Sequence, residues 1–188
     1  MGTLIKDIRI VNEGRMTEGS VLIEGKTIAS VMQASDPDYG HQVHEAENFA
    51  GEVIIGGSEA MLLPGVIDDQ VHFREPGATQ KGCIASESAA AVLGGVTSFM
   101  DMPNNNPPAT TVGLLESKYD AAARESWANY SFYIGATNNN IEELRRADRS
   151  NVCGIKVFMG SSTGNMLVDS QEALDAVFSL DGWLIATH

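Results

Sequence analysis

Between residues 64 and 77 the chain reads Pro-Gly-Val-Ile-Asp-Asp-Gln-Val-His-Phe-Arg-Glu-Pro-Gly, with Gln70, His72 and Arg74 at alternate positions. Alternate residues of an extended strand share a face. An imidazole able to ligate a metal would then stand beside a guanidinium able to fork onto a carboxylate. The same spacing also describes an edge strand with a hydrogen-bonded histidine and a solvated arginine. Further polar residues follow later apolar runs: Asp101 and Asn104, Thr137 and Asn138, Ser161 and Ser162, Thr187 and His188. Taken singly, each has an ordinary reading. Asn104 precedes a proline-rich turn, where asparagine commonly serves the backbone, and a lone histidine such as His188 is more often a packing residue than a ligand. Lys156, within Gly154-Ile155-Lys156-Val157-Phe158, has the position of a salt-bridged strand-end lysine.

Such residues act together only if the backbone brings them to one edge. From residue 61 onward, apolar strand-like runs at 64–73, 97–102, 130–135, 154–160 and 183–188 alternate with helix-like segments. Ile84, Ser88, Ala91 and Val92 have helical spacing before a Gly94-Gly95 stop, and Leu115, Tyr119 and Ala122 share a second helix face. Asn140 with Glu143, and Asp169 with Glu172, are spaced as N-cap and N3 acid. Alternation of this kind predicts a parallel sheet. No G-x-G-x-x-G turn follows the first strand, so the usual dinucleotide-binding signature is missing. Polar residues at every strand end instead match a (β/α)8 barrel, which carries its site on the C-terminal edge. The expected class is therefore α/β, an incomplete (β/α)8 TIM barrel. A whole barrel takes about 250 residues, so 61–188 is expected to supply its first five β/α units, with the C-terminal part absent. Residues 1–60 read as a small β-rich module of antiparallel hairpins. Its markers are Ile8-Ile10-Val11, Val21-Ile23, a turn at Glu24-Gly25-Lys26 and Ile28 with Val31; a polar stretch and a strand at 53–55 follow.

Composition narrows the partners. The 188 residues are 43% hydrophobic and 20% charged, which is ordinary for a globular protein. A formal charge of -13 argues against nucleic acid or an anionic membrane as partner, so any anionic substrate needs local positive charge. Two cysteines without a C-x-x-C pair, and a start that lacks a secretory h-region, lead us to expect a cytoplasmic protein. No apolar run approaches the ~20 residues that span a bilayer.

Four stretches together carry a resemblance. The 64–77 segment resembles the Asp-x-His-x-His signature that opens the barrel in the amidohydrolase superfamily, and Arg74-Glu75-Pro76-Gly77 is similar to dihydroorotases in particular. Asp101-Met102-Pro103-Asn104 with Pro107-Pro108, then Gly154-Ile155-Lys156-Val157-Phe158, then Ala186-Thr187-His188 follow in the same order. The resemblance implies a zinc-dependent cyclic amidohydrolase interconverting dihydroorotate and N-carbamoyl-L-aspartate in pyrimidine biosynthesis, with one or two zinc ions. It implies His72, Lys156 and His188 as metal ligands, and Arg74 and Asn104 as holders of a substrate carboxylate. Lys156 would carry a carboxylate derived from carbon dioxide. The physics of that residue agrees, because an ammonium repels a metal whereas a neutral amine in an apolar strand can form a carbamate. Gln70 departs from the pattern. It stands where the first metal-binding histidine is expected, and a neutral amide is a poor zinc ligand. The catalytic aspartate and a further histidine are expected beyond His188, so no catalytic residue is assigned and these residues alone are expected to be inactive. Two other readings stay open: an allantoinase or other cyclic-ureide hydrolase, and a non-catalytic scaffold of aspartate transcarbamoylase. Arg74 and Met102-Pro103-Asn104 argue against the first; Gln70 keeps the second open, while His72, Lys156, Arg74 and His188 argue against it. A small-molecule substrate is implied, with room for a homo-oligomer.

Overall fold

The computed structural model describes residues 2–57, 59–161 and 165–188. The chain forms two compact units, Met1–Pro64 and Gly65–His188. In the first, β1 (Gly2–Asn12) pairs antiparallel with β2 (Arg15–Glu24), which pairs antiparallel with β3 (Thr27–Gln33). Both connections are two-residue turns. Glu13 and Gly14 adopt φ values of 49° and 71°, the positive pair that suits the twist of a tight hairpin. The polar stretch after β3 is a helix, α1 (Tyr39–Phe49), rather than a loop. Its apolar stripe is thin, with only Val43 and Ala46 buried and Tyr39 partly so, packed against Leu4, Leu22 and Met32. Because α1 crosses over, β4 (Ala50–Ile55) and β5 (Met61–Leu62) run parallel to β1 rather than forming a hairpin with β3.

The second unit alternates strand and helix. The strands are β6 (Val66–Val71), β7 (Val96–Asp101), β8 (Asn129–Gly135), β9 (Gly154–Val157) and β10 (Ile185–Thr187). Between them lie α2 (Ile84–Leu93), α3 (Val112–Glu125), α4 (Ile141–Arg146) and α5 (Gln171–Phe178). All neighbours are parallel and the spatial order β10-β9-β8-β7-β6 follows the chain without reversal. A doubly wound sheet reverses direction at a switch point, whereas a barrel adds each strand beside the last. The sheet is therefore of the barrel type, and every strand delivers its C-terminal end to one edge.

Its core is built around Phe99, Phe132, Ile134, Ile155 and Val157, closed from the helix side by Ile84, Leu115, Ala122 and Leu144. Tyr119 meets Phe132 edge-on at 4.8 Å and Phe73 lies 4.4 Å from Phe99, arrangements that suit the aromatic quadrupole. Of the two expected capping pairs, Asn140 and Glu143 do take the N-cap and N3 positions of α4, but without a side-chain cap bond, and Asp169 lies one residue before the true cap of α5. Asn140 directs its side chain to the end of β8, accepting from Thr137 N and donating to Gly135 O and Thr110 O, while Glu143 accepts from Val112 N at the start of α3. On α5 the cap is Ser170, whose hydroxyl accepts from Ala173 N; Asp169 accepts instead from the Asn138 amide. No helix among the described residues is long and apolar enough to cross a membrane.

Candidate functional site

The C-terminal edge of the parallel sheet surrounds a cavity of about 250 Å³ lined by Gln70, His72, Met102, Asn104, Lys156, Phe158, Ser161 and His188. Gln70 lies inside β6 and His72 just past its end. Lys156 belongs to β9, and His188 directly follows β10. The structure thus brings together four strand-end residues separated by up to 118 positions in sequence. Ser161 joins them; Ser162 lies outside the described residues.

His72 is held through its Nδ1, which is 2.8 Å from Asn104 Oδ1. An amide oxygen only accepts, so Nδ1 carries the proton and Nε2 keeps its lone pair for a metal. Lys156 is 3% exposed, and its Nζ donates to Thr187 O at 3.3 Å and lies 5.2 Å from the Phe158 ring. It has no carboxylate partner among the described residues. Burial pulls its pKa below the usual lysine value, which favours the neutral amine. His188 donates its backbone N–H to Val157 O at 3.0 Å, so its backbone continues the β10 ladder; its ring stacks obliquely 6.0 Å from Phe158.

These residues fit a metal in one way. No three unmodified His, Cys, Asp or Glu side chains form a metal-sized cluster among the described residues. Two imidazoles and an amide are a weak set for zinc, which prefers imidazole with thiolate or carboxylate. The buried, unpaired Lys156 amine closes the gap if it becomes a carbamate, because that supplies the missing anionic oxygens. The two cysteines offer no substitute, since neither lines the cavity and burial pushes the Cys153 thiol up to about 11.

Arg74 takes a different place from the one its spacing suggests. β6 ends at Val71 and Arg74 sits at φ 67°, so the alternation of Gln70 and His72 does not extend to it. It lines an adjoining cavity of about 260 Å³ with Lys81, Ala78, Pro108 and Asn104 to Asn106. Asn104 lines both cavities. Arg74 has no ion-pair partner among the described residues, leaving its fork free for a ligand anion.

One pair at this edge joins Asp101, which lies in a motif that gave it no role, to a lysine outside every motif. Asp101 Oδ2 and Lys118 Nζ, with side chains 1% and 0% exposed, form an ion pair at 2.6 Å. Burial draws the Lys118 pKa down, with Asp101 acting against it. A lone lysine among Leu115, Tyr119 and Ala122 on the apolar face of α3 was the signal that could have found the pair. Lys81 likewise went unnoticed, lying in a loop without a pattern.

Comparison with known proteins follows the same lines. Residues 61–176 match the Amidohydrolase family. An allantoinase of Streptomyces avermitilis is 36% identical over 140 residues, covering 74% of this chain and 32% of that protein. A dihydroorotase of Methanosarcina acetivorans is 31% identical over 188 aligned positions, covering 98% of this chain and 38% of that protein. The solved L-hydantoinase (dihydropyrimidinase) of Arthrobacter aurescens superposes with a TM-score of 0.84 at 25% identity, covering 99% of this chain and 40% of that one. The chain thus spans about a third to two-fifths of the length of these relatives.

Proposed function

The chain belongs to the amidohydrolase family, and on that premise we propose that the whole protein hydrolyses a cyclic amide bearing a carboxylate, as a dihydroorotase does. Water adds to the ring carbonyl carbon and the ring C–N bond breaks, so that dihydroorotate becomes N-carbamoyl-L-aspartate; the reverse reaction closes the ring. His72 through Nε2, His188 and a carboxylated Lys156 would hold the metal. When bound, zinc polarises the carbonyl and lowers the pKa of water toward about 7. The carbamate forms when the neutral Lys156 amine adds to carbon dioxide and releases a proton; burial keeps the amine in the neutral form that can react, and the metal charge would offset the cost of the buried anion.

The observation that carries the choice of substrate is the unpaired Arg74 beside Lys81 in a cavity that shares Asn104 with the metal-ligand cavity. The Asn104 Oδ1 is occupied by His72, which leaves Nδ2 to donate to a carboxylate held by Arg74. One asparagine would thereby set the spacing between metal and carboxylate. In a chain of charge -13, this local positive charge is what makes an anionic substrate acceptable. A cytoplasmic location belongs to the same reading.

Allantoinase is the second reading, favoured by the Streptomyces relative. Allantoin lacks a carboxylate and would leave Arg74 unused. Steady-state assays of the zinc-loaded whole protein decide between them: kcat/KM for dihydroorotate is expected to exceed that for allantoin by about 100-fold or more, the worth of a bidentate charged contact. The opposite preference would establish the allantoinase reading. Turnover of neither would favour the non-catalytic scaffold.

Gln70 bears on the metal count. Its amide should hold zinc less firmly than an imidazole, so chelation is expected to leave about one tightly held zinc per chain, with any second ion easily lost. Gln70→His should strengthen the second site. Two equivalent tight sites in the wild type, unchanged in Gln70→His, would contradict this account of the position.

A further inference from the structure

We propose that the buried Asp101–Lys118 pair is a positioning device that fixes the histidine and asparagine of the metal edge. Its consequence for turnover rests on the functional reading above; its structural part does not.

The ladder between β6 and β7 is irregular between Asp68 and Val71, then resumes with Val71 opposite Asp101. Met102 N donates to Val71 O at 3.0 Å, after which β6 has ended. The next inward amide, Phe73 N–H, would be orphaned in a buried position, and an unpaired buried donor is costly. Asp101 Oδ1 accepts it at 2.9 Å. The other oxygen, Oδ2, meets Lys118 Nζ, and that same ammonium donates to Met102 O at 3.0 Å and lies 4.6 Å from the Phe132 ring.

One pair therefore clamps two segments of backbone. On one side it holds Phe73, whose neighbours are His72 and Arg74; on the other it holds Met102, two residues before Asn104. Those segments meet again in the His72 Nδ1 to Asn104 Oδ1 contact. An error in either segment would break that contact and release the His72 ring, whose tautomer depends on it.

Energetics argue that stability alone would not preserve the arrangement. A buried ion pair can often be replaced by packed apolar residues without loss of stability, because desolvation offsets the attraction. The pair's two backbone contacts, to Phe73 N–H and to Met102 O, lie on either side of the metal edge and are better explained by geometry.

The test replaces the pair by apolar residues of similar length, Asp101→Leu with Lys118→Met, in the whole protein. Loss of the ion pair itself should cost little, but the Phe73 N–H left without its acceptor should lower the melting temperature by several degrees in a variant that still folds. Zinc affinity, from competition with a chelator, should fall by about 10- to 100-fold, the usual effect of disturbing a ligand's hydrogen-bond partners. Nitrogen NMR of the zinc-free protein should show the His72 ring change from a single Nδ1–H tautomer to a tautomeric mixture. A folded double variant with unchanged zinc affinity and an unchanged His72 spectrum would overturn the proposal. Should the variant not fold, hydrogen exchange in the wild type still decides. The Phe73 amide, past the strand end, is expected to be protected like the Met102 amide; exchange as fast as an exposed loop amide would overturn the clamp. Neither the ring spectrum nor the exchange rate depends on turnover, so failure of the dihydroorotase reading would show separately, as loss of substrate hydrolysis with both signatures intact.

Discussion

Lys156→Ala is expected to abolish zinc retention and reduce turnover of dihydroorotate by a factor on the order of 1000, about 4 kcal/mol of transition-state stabilisation. The side chain is nearly fully buried and, among the described residues, has no carboxylate partner and reaches the Thr187 carbonyl and the Phe158 ring. Held as an ammonium it is a desolvated charge, and the fold gains little from it. Two outcomes separate a ligand from a structural lysine. A short carboxylic acid in the buffer should partly restore zinc binding in Lys156→Ala by occupying the vacated space with an anionic oxygen pair. Lys156→Met, which keeps the volume and removes the charge, should raise the zinc-free melting temperature by a few degrees while still losing the metal. Zinc content equal to the wild type in Lys156→Ala would remove this residue from the metal site.

Arg74→Met should lower kcat/KM for dihydroorotate by about 100-fold, ~3 kcal/mol, through loss of a charge-assisted fork on the substrate carboxylate. The expected loss falls mainly in KM if the contact is equally strong in ground and transition states, and zinc content should not change. Folding should be little affected, because Arg74 makes no ion pair among the described residues and its positive φ is equally demanding for methionine and arginine. Unchanged kinetics with dihydroorotate would take Arg74 out of the substrate site and turn attention to allantoin.

The two outcomes would bear on different halves of one edge, and the sequence exposes those halves unequally. Alternating strand and helix patterns over residues 61–188 predict a parallel sheet, and its unreversed order puts Gln70, His72, Lys156 and His188 around one cavity. These residues were legible because each ends an apolar run, and strand ends are where a barrel gathers its chemistry. Arg74 was placed on the wrong face. Period two holds only while the strand lasts, and nothing in Val-His-Phe-Arg signals that pairing stops at Val71. The α1 helix was hidden by its own polarity, since Val43 and Ala46 alone do not distinguish a half-buried helix from a loop. The partners of Asp101 were invisible for another reason: Phe73 N–H is a backbone group and carries no side-chain signature, and Lys118 reads as surface until the face of α3 is known to be buried. The caps are legible by position rather than by bond, since Asn140 does begin α4. Asn140 and Asp169 have capping composition but are drawn to tertiary partners at the strand ends, with Ser170 left to cap α5.

On the function proposed above, Lys156 becomes an anionic ligand only by taking up carbon dioxide. The most direct test is carbon NMR of the whole protein, stripped of metal and reloaded with zinc in isotopically labelled bicarbonate. We expect one carbamate resonance to appear with zinc, at about one per chain, together with turnover, and to be absent from Lys156→Ala under the same conditions. Zinc-loaded protein that turns over dihydroorotate with no carbamate resonance, or with one that persists in Lys156→Ala, would contradict the account.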